Sequence, residues 1–168
     1  MGDGRAQSIS IESAELQATI SSLGAELVGL RDSDGFDYMW NGDPAWWPSH
    51  APILFPIVGE VRGNALKVDG KLYPIGRHGF ARRSTFEVVE AERTRCSFQL
   101  CTNDQTRAQY PFEFALNVDY EVVGASVVFT GRGNESRKGR DAHLLGFPSC
   151  VPMALGSRSA KGGLRDLL

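Results

Sequence analysis

The sequence has little cysteine and no long hydrophobic run. Three cysteines occur among its 168 residues, at Cys96, Cys101 and Cys150, and they form no C-x-x-C pair. An odd number of cysteines without paired spacing predicts neither a disulfide framework nor a zinc site. No apolar segment approaches the ~20 residues of a transmembrane helix. We therefore expect no metal held by cysteines and no membrane partner.

The sequence also lacks an excess of charge of either sign. Lysine and arginine number 18 against 20 aspartate and glutamate residues, and the sequence pI is about 5.9. This balance does not favour a polyanionic partner, so we expect no nucleic acid to bind. The first residues, 1–5, contain no apolar signal core, and the expected location is the cytoplasm.

Alternation of apolar and polar residues is the main structural signal. It is clear in SISIE (8–12) and LQATI (16–20), and Asp69-Gly70 predicts a tight hairpin turn. Further strands are predicted at 25–30, 66–68, 71–73, 85–89, 96–101, 112–122 and 126–129. A single short helix is predicted at 103–109, with Asn103 as its cap. Many short strands with little helix predict an all-β fold, an antiparallel β-sandwich or barrel.

The segment 40–63 departs from this pattern. Trp40, Trp46 and Trp47 lie close together in the sequence, and four prolines interrupt regular strand pairing. One interpretation is the wall of a sugar site, because aromatic faces stack on the apolar faces of pyranose rings. The other is a tryptophan-rich core plug beneath a long loop. Residue types alone slightly favour the core plug.

A histidine among arginines forms the second candidate site. His78 lies in GRHGFARR (76–83), between two predicted strands. One interpretation is a solvated basic turn. The other is a ligand site, because the glycines allow close backbone approach, and histidine and arginine donate hydrogen bonds to hydroxyls or phosphates. A solvated role is favoured for any single arginine, whereas the cluster as a whole leaves both interpretations open.

Other catalytic and metal-binding motifs are not found. The sequence has no phosphate-binding loop, no dinucleotide fingerprint and no Ser-His-Asp order. Asp32, Asp34 and Asp37 are spaced like the start of a calcium loop. The glycine at the sixth position and the glutamate at the twelfth are missing, so a calcium site is rejected.

Five ordered motifs carry a resemblance to a known family. They are GAEL (24–27), WNGDPAWW (40–47), APILFPIVG (51–59), RHGFAR (77–82) and YPFEF (110–114). From about residue 8 to Gly139 the chain closely resembles the bacterial branch of the aldose 1-epimerase (galactose mutarotase) family. The resemblance implies that residues 1–139 are the N-terminal part of a galactose mutarotase-like β-sandwich. It also implies exchange of the α and β anomers of an aldohexose or hexose phosphate, with no metal or organic cofactor.

The resemblance also implies the roles of the site residues. His78 corresponds to a substrate-binding histidine, and Arg77 and Arg82 flank it as groups for hydroxyls or a phosphate. Trp47 belongs to the predicted sugar wall. Glu60 stands where the family often has a sugar-binding arginine, and this departure from the family bears on the substrate and above all on phosphate recognition. In the family a histidine protonates the ring oxygen and a glutamate takes the proton of the C1 hydroxyl.

The C-terminal segment departs from the family. Relatives continue after residues 134–136 with Met-Pro and then a His-Pro-x-Phe motif that carries the acid histidine, and the base glutamate follows later. Neither residue has a match here, and His143 precedes two leucines instead. No catalytic residue is therefore assigned, and impaired turnover is expected.

A shift of reading frame accounts for this departure. Permitted codons for residues 140–155, read one nucleotide later, spell Glu-Met-Pro-Thr-Ser, three further residues, and then His-Pro-Ala-Phe-Arg-Trp-Pro-Leu. We interpret 140–168 as an aberrant tail, frame-shifted or disordered, against the alternative of a divergent natural C-terminus. Three hypotheses stay open: a mutarotase that obtains its acid and base elsewhere, a sugar-binding module without turnover, and a truncated product without function.

Overall fold

The computed structural model describes residues 6–136 and 151–154. Its strands are β1 (Ser8–Glu12), β2 (Leu16–Ser21), β3 (Glu26–Asp32), β4 (Ala65–Val68), β5 (Lys71–Pro74), β6 (Glu87–Ala91), β7 (Arg95–Cys101), β8 (Glu113–Val123), β9 (Ser126–Ser136) and β10 (Val151–Ala154). One α-helix, α1 (Asp104–Arg107), and two 3₁₀ turns, Arg62–Asn64 and Ala81–Arg83, complete the elements of these residues. All the ladders between these strands are antiparallel, and the predicted all-β fold is confirmed.

The strands form two larger sheets and one hairpin. The first sheet has the order β1-β2-β3, and the second has the order β10-β9-β8-β7-β6. The strands β4 and β5 pair only with each other. Within each sheet, strands that are consecutive in the sequence lie side by side, because short turns favour antiparallel neighbours.

The hairpin turn has the backbone that its sequence predicts. Asp69 and Gly70 have φ angles of 49° and 80°, and Val68 pairs with Lys71 across them. Positive φ at both central positions is the requirement of a type I′ turn, which aspartate and glycine tolerate. The predicted hairpin is confirmed.

The bounds of several predicted elements differ in the structure, and one case has a clear physical reason. The strand predicted at 85–89 begins at Glu87, because Thr85 instead bridges Leu23 and the Phe86 N–H donates to the Ser22 carbonyl at 2.8 Å. The helix predicted at 103–109 is confirmed, although it is shorter.

The helix is capped from both directions. The side-chain oxygen of Asn103 accepts from the Thr106 N–H at 3.0 Å, and Thr106 Oγ1 accepts from the Asn103 N–H at 2.9 Å. This reciprocal pair satisfies donors that would otherwise be free at the first turn.

The core lies between the two larger sheets. It is formed by inward-facing side chains of β1, β2 and β3 and of β7, β8 and β9, among them Ile20, Leu27, Phe98 and Leu116. The Tyr120 hydroxyl donates to the Ala25 carbonyl at 2.8 Å in this buried layer. Two sheets that share one apolar core are a β-sandwich, as the alternation predicts.

Several sequence predictions fall outside the described residues. His143, Cys150 and most of the segment 140–168 lie there, so the interpretation of that segment as an aberrant tail stays a prediction. Its residues 151–154 form β10, which pairs with β9. Within the described ranges, no helix is long and apolar enough to cross a membrane.

Candidate functional site

His78 is tied to Gly59 by two hydrogen bonds. The His78 N–H donates to the Gly59 carbonyl at 2.7 Å, and the Gly59 N–H donates to His78 Nδ1 at 2.9 Å. Because Nδ1 accepts, the hydrogen of the neutral imidazole is on Nε2. The half-buried ring therefore keeps Nε2 as a donor for another molecule.

The same two segments meet through Gly79 and Phe55. The N–H groups of Phe80 and Ala81 donate to the Phe55 carbonyl at 2.9 Å and 3.2 Å. A Cβ atom on Gly79 would overlap that carbonyl, and Gly79 has a φ of +69°. Only glycine combines this close approach with this backbone without strain. The fold thus joins FPIVG (55–59), the second half of the APILFPIVG motif, to the RHGFAR motif (77–82).

The arginines beside His78 form no ion pair with any acidic side chain of the described residues. Arg82 Nη2 donates to the Arg77 carbonyl at 3.3 Å, and Arg83 Nη2 donates to the Gly79 carbonyl at 3.0 Å. The Arg77 side chain is exposed and Arg82 is half-buried. Throughout 6–136, no salt bridge involves any of these three guanidinium groups. The turn therefore presents positive charge and free N–H donors.

The structure connects Glu60 to this turn only through the backbone. Glu60 follows Gly59 directly, and its side chain is exposed. Trp47 is 46% exposed. In the part of the chain that the structure describes, no hydrogen bond, ion pair or ring contact joins the side chain of Glu60 or Trp47 to His78. The roles in binding that the sequence predicts remain predictions for all five side chains: His78, Arg77, Arg82, Glu60 and Trp47.

The tryptophans belong to an exposed loop, residues 40–50, which we call the aromatic loop. Trp40, Trp46 and Trp47 are 43%, 81% and 46% exposed. The Trp40 indole N–H donates to the Trp47 carbonyl at 2.8 Å, and the Asp43 carbonyl accepts from the N–H groups of Trp46 and Trp47. The interpretation as a core plug is wrong, because these hydrogen bonds close the loop on itself and leave the indole rings at the surface.

Sequence reasoning missed the residue that anchors this loop. Glu26, at the start of β3, accepts with Oε1 from the N–H groups of His50 at 2.6 Å and Ala51 at 2.9 Å. The position of Glu26 within the GAEL motif was the one sequence feature that could have marked it as a site residue. Its partners could not be predicted, because they are about two dozen residues away in the sequence.

Sequence reasoning also missed a polar groove of about 570 Å³ on the outer face of the second sheet. There Arg132 pairs with Asp119 at 2.6 Å, Asp119 accepts from the Ser97 hydroxyl at 2.6 Å, and Arg95 pairs with Glu90 at 3.1 Å. Alternation along β7 and β8 places these polar side chains opposite the core. The two arginines and two carboxylates balance each other, so the groove carries no net charge.

The three aspartates that resemble a calcium loop stabilise a turn instead. Asp32 Oδ1 accepts from the N–H groups of Asp34 and Phe36, at 3.0 Å and 2.9 Å. The Arg31 guanidinium, hydrogen-bonded to Asp37, lowers the pKa of that carboxyl below its ordinary value. Among the described residues, no three His, Cys, Asp or Glu side chains are grouped in a way that would hold a metal ion.

The fold and the joined motifs define a galactose mutarotase-like protein. The sequence model of the aldose 1-epimerase family matches residues 7–138. The chain therefore belongs to the aldose 1-epimerase family.

Individual relatives agree with this assignment. The plasmid-encoded protein LacX of Lactococcus lactis subsp. lactis is 32% identical over 124 residues, which are 71% of this chain and 42% of LacX. The galactose mutarotase related enzyme of Lactobacillus acidophilus is 33% identical with a TM-score of 0.75, over 77% of this chain and 43% of that chain. A galactose mutarotase-like protein of Lactobacillus casei is 35% identical with a TM-score of 0.71, over 78% and 46%. The chain spans less than half the length of these relatives.

Proposed function

We propose that the chain binds an aldohexose, or its phosphate, at the surface formed by residues 55–60 and 77–82. The observation that carries the proposal is the bond from the Gly59 N–H to His78 Nδ1 at 2.9 Å. This bond fixes the imidazole and leaves the Nε2 hydrogen for a sugar oxygen. Arg77 and Arg82 supply further donors, and neither forms an ion pair within the described residues.

Glu60 favours the free sugar over its phosphate. Its exposed carboxylate is one residue from Gly59 and accepts hydrogen bonds from hydroxyl groups. The same negative charge repels a phosphate, whereas Arg77 and Arg82 attract one. We therefore expect glucose and galactose to bind at least as well as their phosphates.

The reaction proposed for the family site is exchange of α and β anomers. A base removes the proton of the C1 hydroxyl while an acid protonates the ring oxygen, and the open aldehyde rotates before it closes again. No electrons are gained or lost, so proton transfer at two positioned groups is sufficient. This chain supplies His78 to hold the sugar, and it has no match for the family's acid histidine or base glutamate.

A second candidate is a sugar-binding module without turnover. The aromatic loop favours it, because three exposed indole rings on one hydrogen-bonded loop offer faces for a pyranose ring. Binding by this surface needs no acid or base.

Binding is tested by calorimetric titration of glucose, galactose and their phosphates with variants of His78. In His78→Ala we expect affinity for the sugar to fall by about 1–3 kcal/mol, the loss for a polar group left without its partner. His78→Asn is the matched variant, because its side-chain oxygen still accepts from Gly59 and asparagine tolerates the φ of 64°. It lacks Nε2, so we expect a similar loss. Wild-type affinity in His78→Asn would contradict direct contact between the imidazole and the sugar.

A further inference from the structure

The aromatic loop is attached to the first sheet by one carboxylate oxygen. Glu26 Oε1 accepts from two consecutive backbone N–H groups, those of His50 and Ala51, and Ala51 also bridges Leu27 on β3. Hydrogen bonds to a carboxylate are stronger than those between neutral groups. Glu26 is half-buried, so water competes less for this oxygen than at an open surface.

The other end of the loop packs on the anchored residue. A Cβ atom on Gly42 would lie 2.6 Å from Cε1 of the His50 ring, so the Gly42 backbone lies directly against the imidazole. Trp46 and Trp47 lie between these two residues in the chain, and the Trp40 indole donates to the Trp47 carbonyl at 2.8 Å. Holding His50 in place therefore also holds Gly42 and the two tryptophans between them, and Trp40 through its hydrogen bond to Trp47.

We infer that Glu26 is a positioning residue that holds the aromatic loop as a preformed surface for the apolar face of an aldohexose. The inference rests on the proposed function for the identity of the ligand. A loop fixed before binding loses less conformational entropy when the sugar docks, which raises affinity without any contact between Glu26 and the sugar.

The tryptophan content of the chain makes the test specific. All three tryptophans lie in the aromatic loop, so intrinsic tryptophan fluorescence reports on this loop alone. Acrylamide quenching and fluorescence anisotropy are measured without sugar in the wild type, Glu26→Ala and Glu26→Gln. Glu121→Ala is the matched control, because Glu121 is an exposed strand carboxylate.

We expect stronger quenching and lower anisotropy in Glu26→Ala, at a temperature where circular dichroism shows every variant folded. Glu26→Gln keeps an oxygen that accepts both N–H groups, so its values stay near the wild type. Affinity for galactose falls about tenfold in Glu26→Ala, equivalent to one charge-assisted hydrogen bond. Glu121→Ala changes neither signal.

Wild-type quenching in Glu26→Ala overturns the proposal, as does a change in Glu121→Ala of the same size. If Glu26→Ala fails to fold, Gly42→Ala displaces the His50 ring while Glu26 stays in place, and the same increase in quenching is expected. Unchanged quenching in that variant overturns the proposal too. If the wild type binds no sugar, the proposed function fails, and the quenching experiment still decides whether Glu26 holds the loop.

Discussion

His78 adopts a backbone conformation that is unusual for a residue with a side chain. Its φ of 64° is in the left-handed region, where a non-glycine residue is strained by about 1 kcal/mol or more. The two hydrogen bonds to Gly59 stabilise this conformation. Strained backbone of this kind clusters at active sites and ligand-binding sites, which supports the proposal that His78 contacts the sugar.

The two described cysteines differ in chemical reactivity. Cys96 is fully buried, and burial, with the charge of Asp119 adding to it, raises the pKa of its thiol to about 12. Cys101 is exposed. Since the thiolate is the form that reacts, we expect iodoacetamide at pH about 8 to modify Cys101 and to spare Cys96 in the folded protein. Peptide mapping by mass spectrometry separates the sites, and equal labelling of both would contradict this expectation.

The raised pKa also gives a pH dependence of stability. The folded state keeps the Cys96 thiol protonated, whereas the unfolded state ionises near pH 9.0. This contribution to stability is present below pH 9.0 and is lost as the pH rises toward about 12. The alkaline loss in the free energy of unfolding should therefore be smaller in Cys96→Ala.

The residues of the site were predictable by type and not by partner. The glycines and arginines around His78 indicated either a ligand turn or a solvated basic turn, and the tryptophans indicated either a sugar wall or a core plug. Gly59 is 19 positions from His78, and Glu26 is 24 positions from His50. Nothing in residue type or local periodicity specifies a contact over such a separation, because it depends on how the sheets pack.

At the scale of elements, local periodicity predicted the strands β1 to β9 and gave no sign of β10, which pairs with β9. The strands β1 and β2 begin where the alternation begins, and the Asp69-Gly70 turn fixes the register of β4 and β5. Prediction of β6 was less accurate, because Thr85 pairs with Leu23 in a distant part of the chain. Local pattern therefore predicts an element, and long-range pairing determines where the element ends.

The junction between the FPIVG and RHGFAR motifs depends on Gly79. Gly79→Ala places a Cβ against the Phe55 carbonyl in addition to the strain of a φ of +69°. Gly35→Ala is a matched control, since Gly35 has a φ of +83° and no atom within 4 Å of its added Cβ. We expect Gly35→Ala to lower the free energy of unfolding by about 1 kcal/mol, as positive φ requires. For Gly79→Ala we expect about 2–4 kcal/mol, because overlap adds to this strain.

Urea denaturation followed by circular dichroism measures both losses. Sugar affinity should fall in Gly79→Ala and stay at the wild-type value in Gly35→Ala. Equal losses of stability in the two variants would show that the segments separate readily, and the junction would then have no special role in the site.

In the whole molecule, the second sheet supports the site through the core. The Tyr120 hydroxyl on β8 donates to the Ala25 carbonyl, and the next residue, Glu26, anchors the aromatic loop. Burial raises the pKa of Tyr120 well above its ordinary value, so the phenol remains a donor over the usual pH range. The sandwich thus connects a buried hydrogen bond, a loop anchor and an exposed aromatic surface within one packed unit.

In the proposed function, mutarotation depends on the family's acid histidine and base glutamate, for which this sequence offers no match. Mutarotation needs proton removal at the C1 hydroxyl and proton donation at the ring oxygen in one geometry, and each positioned group contributes about 10²–10⁴-fold. We therefore expect the purified 168-residue chain to accelerate mutarotation of fresh α-D-glucose or α-D-galactose little above the spontaneous rate, as followed by polarimetry. On the frame-shift interpretation, a gene in which the frame is shifted by one nucleotide after Gly139, with its downstream sequence, should restore the His-Pro-Ala-Phe motif and recover activity. His78→Ala in that restored protein is the control, and it should raise KM, because the proposed role of His78 is to hold the sugar. Rapid mutarotation by the 168-residue chain would show that it has another acid–base pair, and the frame-shift interpretation of its function would then be wrong.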